Sequence, residues 1–408
     1  MNAILGAGSG GITAPIVNVN PIAKIQDGVT LASLGGTVNV APGTYKENIQ
    51  IDKSLTLAGA GAGRTIVDGN KAASVFYIDE SSSGSSADVT FSGMTIQNGA
   101  SGIINDNEGN VILNSGTSIT GNTGAGINNH FGTVTMNSGS SVTANTGDGI
   151  YSYFGTVTMN SGSSITANTG NGIYGSHVMV TINSGSSITG NRGSGINADA
   201  SWVDMYGGSI KGNTGVGIGI GKGGVNMYGG SSIDGNTAGG IYISRSDVNM
   251  YEGSSITGNG NTAARGGGIN YAGRDTVNMY GGSSITGNIA AYGGGIYHGS
   301  EPGSGQTTVN MYGGSSIADN TADYGGGIYS DASSDNYLET VNMYVGSSIN
   351  CNTANIAGGG IYKGLVSLVN FIDSAGNPVA FWPEYDTSVD PYGFFTPHNT
   401  PDDVNPMT

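Results

Sequence analysis

A near-identical phrase returns along this chain. VNMYGGSSITGN at 277–288 recurs as VNMYGGSSIDGN at 225–236, VNMYGGSSIADN at 309–320 and VTMNSGSSITAN at 157–168. The apolar residue ahead of its Asn falls at Ile119, Val142, Ile165, Ile188, Ile210, Ile233, Ile256, Ile285, Ile317 and Ile349. The steps are 22 or 23 residues, then 29, 32 and 32. A unit near 23 residues is too short for helix-pair repeats. Its Gly, Asn, Ser, Thr and β-branched content also argues against helix. Each unit holds three short runs, V-x-M (Val277, Met279), S-I-T (Ser284, Ile285, Thr286) and G-I-Y (Gly295, Ile296, Tyr297), separated by Gly or Asn clusters. Three strands and three turns per unit predict an all-β, three-faced solenoid, a parallel β-helix with a coil of about 23 residues.

In such a stack each word meets its own copy on the next coil, about 4.8 Å away. Val277, Met279, Ile285 and Ile296 are expected to point inward. One coil cannot bury its apolar face alone, so each copy serves its neighbour. The Asn of the phrase recurs at Asn122, Asn145, Asn168, Asn191, Asn213, Asn236, Asn259, Asn288, Asn320 and Asn352. It is expected at a bend, where Asn tolerates a left-handed backbone and its amide can bond the next Asn as an internal ladder. The Gly pairs and triplets before Ile241, Ile269, Ile296, Ile328 and Ile361 serve turns. No phosphate-loop pattern or calcium-binding nonapeptide accompanies them.

Composition narrows the partners. Gly is 76 of 408 residues without a G-X-Y period, which excludes collagen. Charged residues are only 10%, and 12 basic against 28 acidic residues leave a net charge of −16. Nucleic acid and anionic membranes call for a basic footprint, so neither is expected as a partner. No apolar run is long enough to span a bilayer. The opening MNAILGAGSGGITAPIV lacks a basic n-region and a clear apolar h-region, so no signal peptide is expected.

Residues 36–70, GTVNVAPGTYKENIQIDKSLTLAGAGAGRTIVDGN, resemble the opening coils of right-handed parallel β-helix proteins of the pectin-lyase-like superfamily. The later units resemble Gly-Asn-rich repeats of large surface proteins from methanogenic archaea and of autotransporter-type passengers. The resemblance covers roughly 30–370. It implies a right-handed β-helix and an extracellular setting. It does not by itself imply an enzyme, since that superfamily also hosts structural members. The expected organisation is an N-terminal arm or cap at 1–35, N-terminal coils at 36–113, repeat coils at 114–370, and an aromatic, acidic arm or cap at 371–408.

A glycan-cleaving enzyme on this scaffold would need paired carboxylates or a calcium-holding acid cluster. Asp204 aligns with Asn226, and Asp234 aligns with Lys211 and Thr257, so no two acids stack in the repeated words of adjacent coils. Asp275, Glu301, Asp323, Asp331 and Glu339 could converge only through loops. The His residues 130, 177, 298 and 398 show no metal spacing. No catalytic residue, metal or cofactor is expected.

The outward residues carry more. Ser118/Thr120, Ser141/Thr143, Ser164/Thr166 and Ser187/Thr189 form hydroxyl ladders that suit an ice-binding face, although Lys211, Asp234, Ala318 and Asn350 interrupt it. Tyr206, Tyr228, Tyr251, Tyr280, Tyr312 and Tyr344 occupy one position in six successive coils, where earlier coils have Asn137, Asn160 and Asn183. Tyr residues stacked edge to edge up a sheet face add cohesion. An exposed Tyr stripe is also a surface for self-association or glycan contact. The segment 371–408 adds Phe381, Trp382, Phe394 and Phe395, six acids and no Lys or Arg. It reads as a cap over the last coil, as an arm docking on another molecule, or as both. The lone Cys351 is either a buried thiol or the source of an intermolecular disulfide. The expectation is a structural extracellular protein that assembles with itself into an envelope layer, sheath or filament. An adhesin or glycan-binding surface protein is the alternative. A polysaccharide lyase or hydrolase and an ice-binding protein are further readings.

Overall fold

The computed structural model describes residues 13–79, 86–106, 108–260, 262, 264–271, 273–298, 307–330, 339–363, 367–374 and 376–379. It forms two compact units, 1–193 and 194–408. Phe381, Trp382, Phe394 and Phe395, and with them nearly all of the expected C-terminal cap, lie outside the described residues.

In the first unit each word builds its own parallel sheet. V-x-M strands such as Thr133–Met136, Thr156–Met159 and Met179–Asn183 form the first sheet. S-I-T strands such as Ser141–Thr143 and Ser164–Thr166 form the second, and Ile127–His130, Ile150–Tyr153 and Ile173–Ser176 the third. The register sets like on like: Val134 pairs with Val157, Met136 with Met159, and Val142 with Ile165. All of these are fully buried.

The N-terminal segment is more than an arm. Ala14–Val19 is a strand that pairs in parallel with Ala32–Val40. Between them runs a helix, Ile25–Leu31. The Glu47 carboxylate accepts the Ile25 and Gln26 amide N–H groups at 2.8 and 3.1 Å, which satisfies donors a helix start leaves open. A Cβ at Gly28 would stand 2.6 Å from Val19 and 2.9 Å from Val38, so the helix lies directly on the valines of the first coil.

The second unit repeats the plan. Its first sheet runs from Ser201–Tyr206 through Thr276–Met279 to Ser367–Ile372. Val277, Met279, Ile285 and Ile296 are fully buried, as their alternation requires. The longer turns of the later coils add a small parallel sheet, Thr321–Tyr324 with Thr353–Ala357. Phe371 takes the place of Met343 in the last coil, so the helical stack runs slightly past residue 370. Pro378–Val379 then turns back antiparallel on Phe371 and Ile372.

The phrase Asn lies in the core of both units. Asn122 donates its side-chain amide to Asn145 Oδ1 at 2.9 Å, Asn145 to Asn168 at 3.0 Å and Asn168 to Asn191 at 2.9 Å. In the second unit the same bond runs from Asn213 through Asn236, Asn259, Asn288 and Asn320 to Asn352, at 2.9 to 3.0 Å.

Candidate functional site: the outward face of the V-x-M sheet

In the second unit the residue after each inward Met is a tyrosine. Tyr206, Tyr228, Tyr251, Tyr280, Tyr312 and Tyr344 stack in one column, with neighbouring ring centroids 4.6 to 4.9 Å apart. From Tyr206 to Tyr312 the planes agree within 5°, and Tyr344 tilts by 24°. The rings therefore meet face to face and not edge to edge as the sequence suggests, because in-register parallel strands copy one rotamer from coil to coil. Each interior ring has both faces covered and turns its edge outward. Tyr206, at the end of the column, is 46% exposed. Burial, followed by the neighbouring tyrosines, raises the Tyr228 and Tyr312 hydroxyl pKa above the usual phenol value; burial and Tyr251 do the same for Tyr280.

A second outward column runs beside it. Asn226 donates its amide to Asp204 Oδ1 at 2.8 Å. Asn249, Asn278, Asn310, Asn342 and Asn370 each donate to the Asn one coil earlier at 2.8 to 2.9 Å. An amide both donates and accepts, whereas the Asp204 carboxylate only accepts, so Asp204 is a natural end for the chain. This ladder was spelled out in the repeated V-N-M-Y word, but sequence reasoning attended to its neighbours. In the first unit the Tyr position is amide instead: Asn137 bonds Asn114, Asn160 bonds Asn137 and Asn183 bonds Asn160, at 2.8 to 3.0 Å.

Further tyrosines gather on the third sheet of the second unit and on the small sheet beside it. Tyr297, Tyr329 and Tyr362 stack at 5.4 and 4.8 Å, and Tyr292 stacks on Tyr324 at 5.4 Å. The Arg265 guanidinium lies 5.3 Å from the Tyr297 ring centre. On the second sheet the hydroxyls bond one another, Ser141 to Ser118 at 3.2 Å and Thr166 to Thr143 at 3.0 Å. The Lys211–Asp234 ion pair at 2.6 Å breaks the array in the second unit. Cys351 is exposed, which corrects the expectation of a buried thiol. Its backbone is left-handed, φ 52°, at a corner beside the buried Asn352, and that turn sends the side chain outward.

One cluster was foreseen only in its acids, Asp275 and Glu339. Where the third sheet turns into the first, the later coils bury Tyr271, His298 and Ser330 opposite Asp275, Thr307 and Glu339. Tyr271 pairs with His298 and His298 with Ser330 along one strand column. Thr307 pairs with Glu339 along the other, and Asp275 precedes Thr276, the partner of Thr308. Asp275 and Glu339 thus share a column, two coils apart with Thr307 between. His298 Nε2 bonds the Thr307 hydroxyl, and Ser330 Oγ donates to Glu339 Oε2 at 3.0 Å. The Ser246 amide donates to Asp275 Oδ1 at 2.6 Å. Burial pushes Asp275 up to about 6, drives His298 down to about 3 and raises Tyr271 well above the phenol range. The equivalent corner of the first unit is neutral: Asn105 bonds Asn129 at 2.7 Å, and Asn129 bonds Ser152 at 3.1 Å. Of the other loop acids, Asp323 accepts an amide from Asn355, while Glu301 and Asp331 lie outside the described residues. Among the described residues no group of three or more His, Cys, Asp or Glu side chains is placed to hold a metal ion. Nor is any helix long and apolar enough to cross a membrane.

No family model and no curated protein matches the chain. Solved structures do. The catalytic unit of a thermostable GH87 α-1,3-glucanase from Streptomyces thermodiastaticus strain HF3-3 superposes with a TM-score of 0.52 at 15% identity, over 92% of this chain and 72% of that one. The A-module of mannuronan C-5 epimerase AlgE4 from Azotobacter vinelandii has a TM-score of 0.40 at 15% identity, over 82% and 91% of the two chains. Pectate lyase Pel9A has a TM-score of 0.32 at 14% identity, over 80% and 78%. The chain is a right-handed parallel β-helix, and at these identities the likeness extends to the fold alone.

Proposed function

We propose that this chain is a structural extracellular protein that assembles with copies of itself into a cell-envelope layer, sheath or filament. The observation that carries the proposal is the closed tyrosine stack from Tyr206 to Tyr344 beside the Asp204–Asn370 amide ladder. Copies of a chain with net charge −16 repel one another through most of their surface. On the described outward positions of this sheet face in the second unit, Asp204 and Asp247 are the only acids. Ring edges and hydroxyls are left to meet a neighbour, while the ring faces that a sugar would stack on are already covered. Sedimentation equilibrium and electron microscopy of the full chain test the proposal, with a Tyr280→Ala/Tyr312→Ala variant as comparison. Concentration-dependent assembly that the variant weakens is the expected result. A wild type that stays monomeric at high concentration, with its termini intact, would sink it.

The adhesin or glycan-binding reading has one feature in its favour. The ring of Trp202 lies across Gly224, where a Cβ would come within 2.5 Å of it, and is 44% exposed. A glycan array probed with wild type and Trp202→Ala separates this reading from self-assembly. Assays on acidic glycans with calcium address the lyase or hydrolase reading, for which Asp275 and Glu339, two coils apart in one column, are both buried.

A further inference from the structure

In the first unit the corner between the third and first sheets carries bulky rings where the backbone favours glycine. Phe131, Phe154 and His177 have φ of 64°, 51° and 55°. They stand two residues before Thr133, Thr156 and Met179, which pair with one another, so they form a column. Their rings stack: Phe131 on Phe154 at 6.0 Å and 14°, Phe154 on His177 at 4.3 Å and 18°. Tyr153 packs edge-on against Phe154 at 4.6 Å, and Met179 flanks the row. Phe131, Phe154, Tyr153 and Met179 are 56%, 44%, 38% and 58% exposed.

Two costs are thereby accepted together. A left-handed conformation costs a side-chain-bearing residue about 1–2 kcal/mol. Exposed apolar area contributes nothing to the core. The fold does not require either, since Gly or Asn would make the same turn. Strain that persists at a surface marks a functional position. Five side chains, each about half exposed, offer about 400 Å² of mostly apolar surface, in the range of the largest patches on monomers.

We propose that this strip is a two-fold contact surface, covered by the same strip of a second copy of the chain. Charge selects the occupant. None of the five residues is acidic, on a chain with 28 acids; the exposed Glu108 borders the row one coil before Phe131, and a two-fold rotation about Phe154 sets the two copies' Glu108 at opposite ends, so the carboxylates do not meet. A row with Phe154 at its centre is self-complementary under a two-fold rotation, as an isologous interface demands. The adjoining outward positions Thr133, Thr135, Thr156, Thr158 and Thr181 are uncharged too and extend the contact toward the area a stable pair needs. The inference rests on the self-assembly proposal only in taking the partner to be a second copy.

Sedimentation equilibrium of the full chain, in a Cys351→Ser background, tests it with two variants. Phe131→Asn/Phe154→Asn is expected to raise the dimer dissociation constant at least tenfold while Tm holds or rises, because Asn tolerates the left-handed backbone. Phe154→Cys is expected to cross-link to itself under mild oxidation. Unchanged association in the Asn variant overturns the inference, as does dimerisation without the Phe154→Cys cross-link. If the Asn variant instead loses retention on a neutral-glycan column while association is intact, the strip has a different occupant and the inference also fails. Association lost in Tyr280→Ala/Tyr312→Ala but not in the strip variants removes this inference and leaves the self-assembly proposal standing. A wild type that never associates removes both.

Discussion

Asn213 brings two donors, its backbone N–H and its side-chain amide, to one oxygen: Oδ1 of Asn236, at 3.0 and 2.9 Å. Asn236 repeats the arrangement on Asn259 at 2.9 Å for both donors, and its amide also reaches the Ile210 carbonyl at 3.2 Å. The ladder thus neutralises backbone groups that each corner would otherwise bury unpaired.

Removing one rung should cost more than one hydrogen bond. Asn236→Ala removes the oxygen that accepts both Asn213 donors and the Asn236 amide that reaches the Ile210 carbonyl, while the backbone N–H of residue 236 still serves Asn259 Oδ1. At about 1–3 kcal/mol per buried orphan, the loss should reach about 3 kcal/mol or more. Asn278→Ala, in the half-buried outward ladder, should cost about 1 kcal/mol, since water can replace the bond. Urea unfolding of the two variants side by side checks the contrast. Equal costs would mean the inner ladder has no special weight.

The tyrosine column makes a graded prediction. Tyr280 stacks on Tyr251 and Tyr312, both at 4.9 Å, whereas Tyr206, within its unit, stacks on Tyr228 alone. At about 0.5–1.5 kcal/mol per aromatic pair, Tyr280→Ala should destabilise about twice as much as Tyr206→Ala. Thermal melts of the two variants decide it. A Tyr206→Ala cost equal to that of Tyr280→Ala would show that the second ring contact adds nothing to the column.

Corner glycines separate two reasons for lacking a side chain. A Cβ at Gly149 would stand 2.4 Å from Ile165 Cγ2 and 2.6 Å from the Gly172 carbonyl oxygen. Backbone cannot yield there, so Gly149→Ala should cost about 3 kcal/mol or more. Gly190 has φ 65° and no heavy atom within 4 Å of such a Cβ. Gly190→Ala should cost only the left-handed strain, about 1 kcal/mol. Ala144 and Ala167 already hold that conformation at equivalent corners. Denaturation midpoints that rank the two variants the other way would contradict the steric account.

The inward half of the repeat was legible because stacking forces like onto like: Val277, Met279, Ile285 and Ile296 each sit in a column of near-identical residues. The tyrosine column was legible for the same reason, although its ring geometry was not, since a letter carries no rotamer. The buried corner around Tyr271, His298 and Ser330 escaped because its column holds three different residue types. The loops that follow it vary in length, so neither identity nor spacing repeats. The exposed side of Cys351 escaped because direction at a corner depends on φ. The pairing of His130 Nδ1 with Asp106 at 3.0 Å joins residues 24 apart, one coil, where a search for short metal spacings does not look.

That buried corner makes stability depend on pH through two opposed groups. Folded Asp275 keeps its proton up to about pH 6, while the unfolded carboxyl loses it near 3.8. The native state therefore holds more protons in that interval, and this contribution to stability falls as pH rises from about 4 to about 6. Folded His298 stays neutral down to about pH 3, while the unfolded ring takes a proton below 6.5. Here the unfolded state holds more protons, and stability falls as pH drops through the same region. The slopes oppose, so the pair should leave wild type nearly flat between about pH 4 and 6. His298→Asn unmasks Asp275, and stability should then rise on acidification by up to about 3 kcal/mol, the equivalent of about two pKa units. Asp275→Asn, which keeps an acceptor for the Ser246 amide, should instead lose stability on acidification. Urea titrations at about pH 4, 5, 6 and 7 read both slopes directly. Parallel pH profiles for the two variants would show that these side chains do not titrate as the buried corner requires.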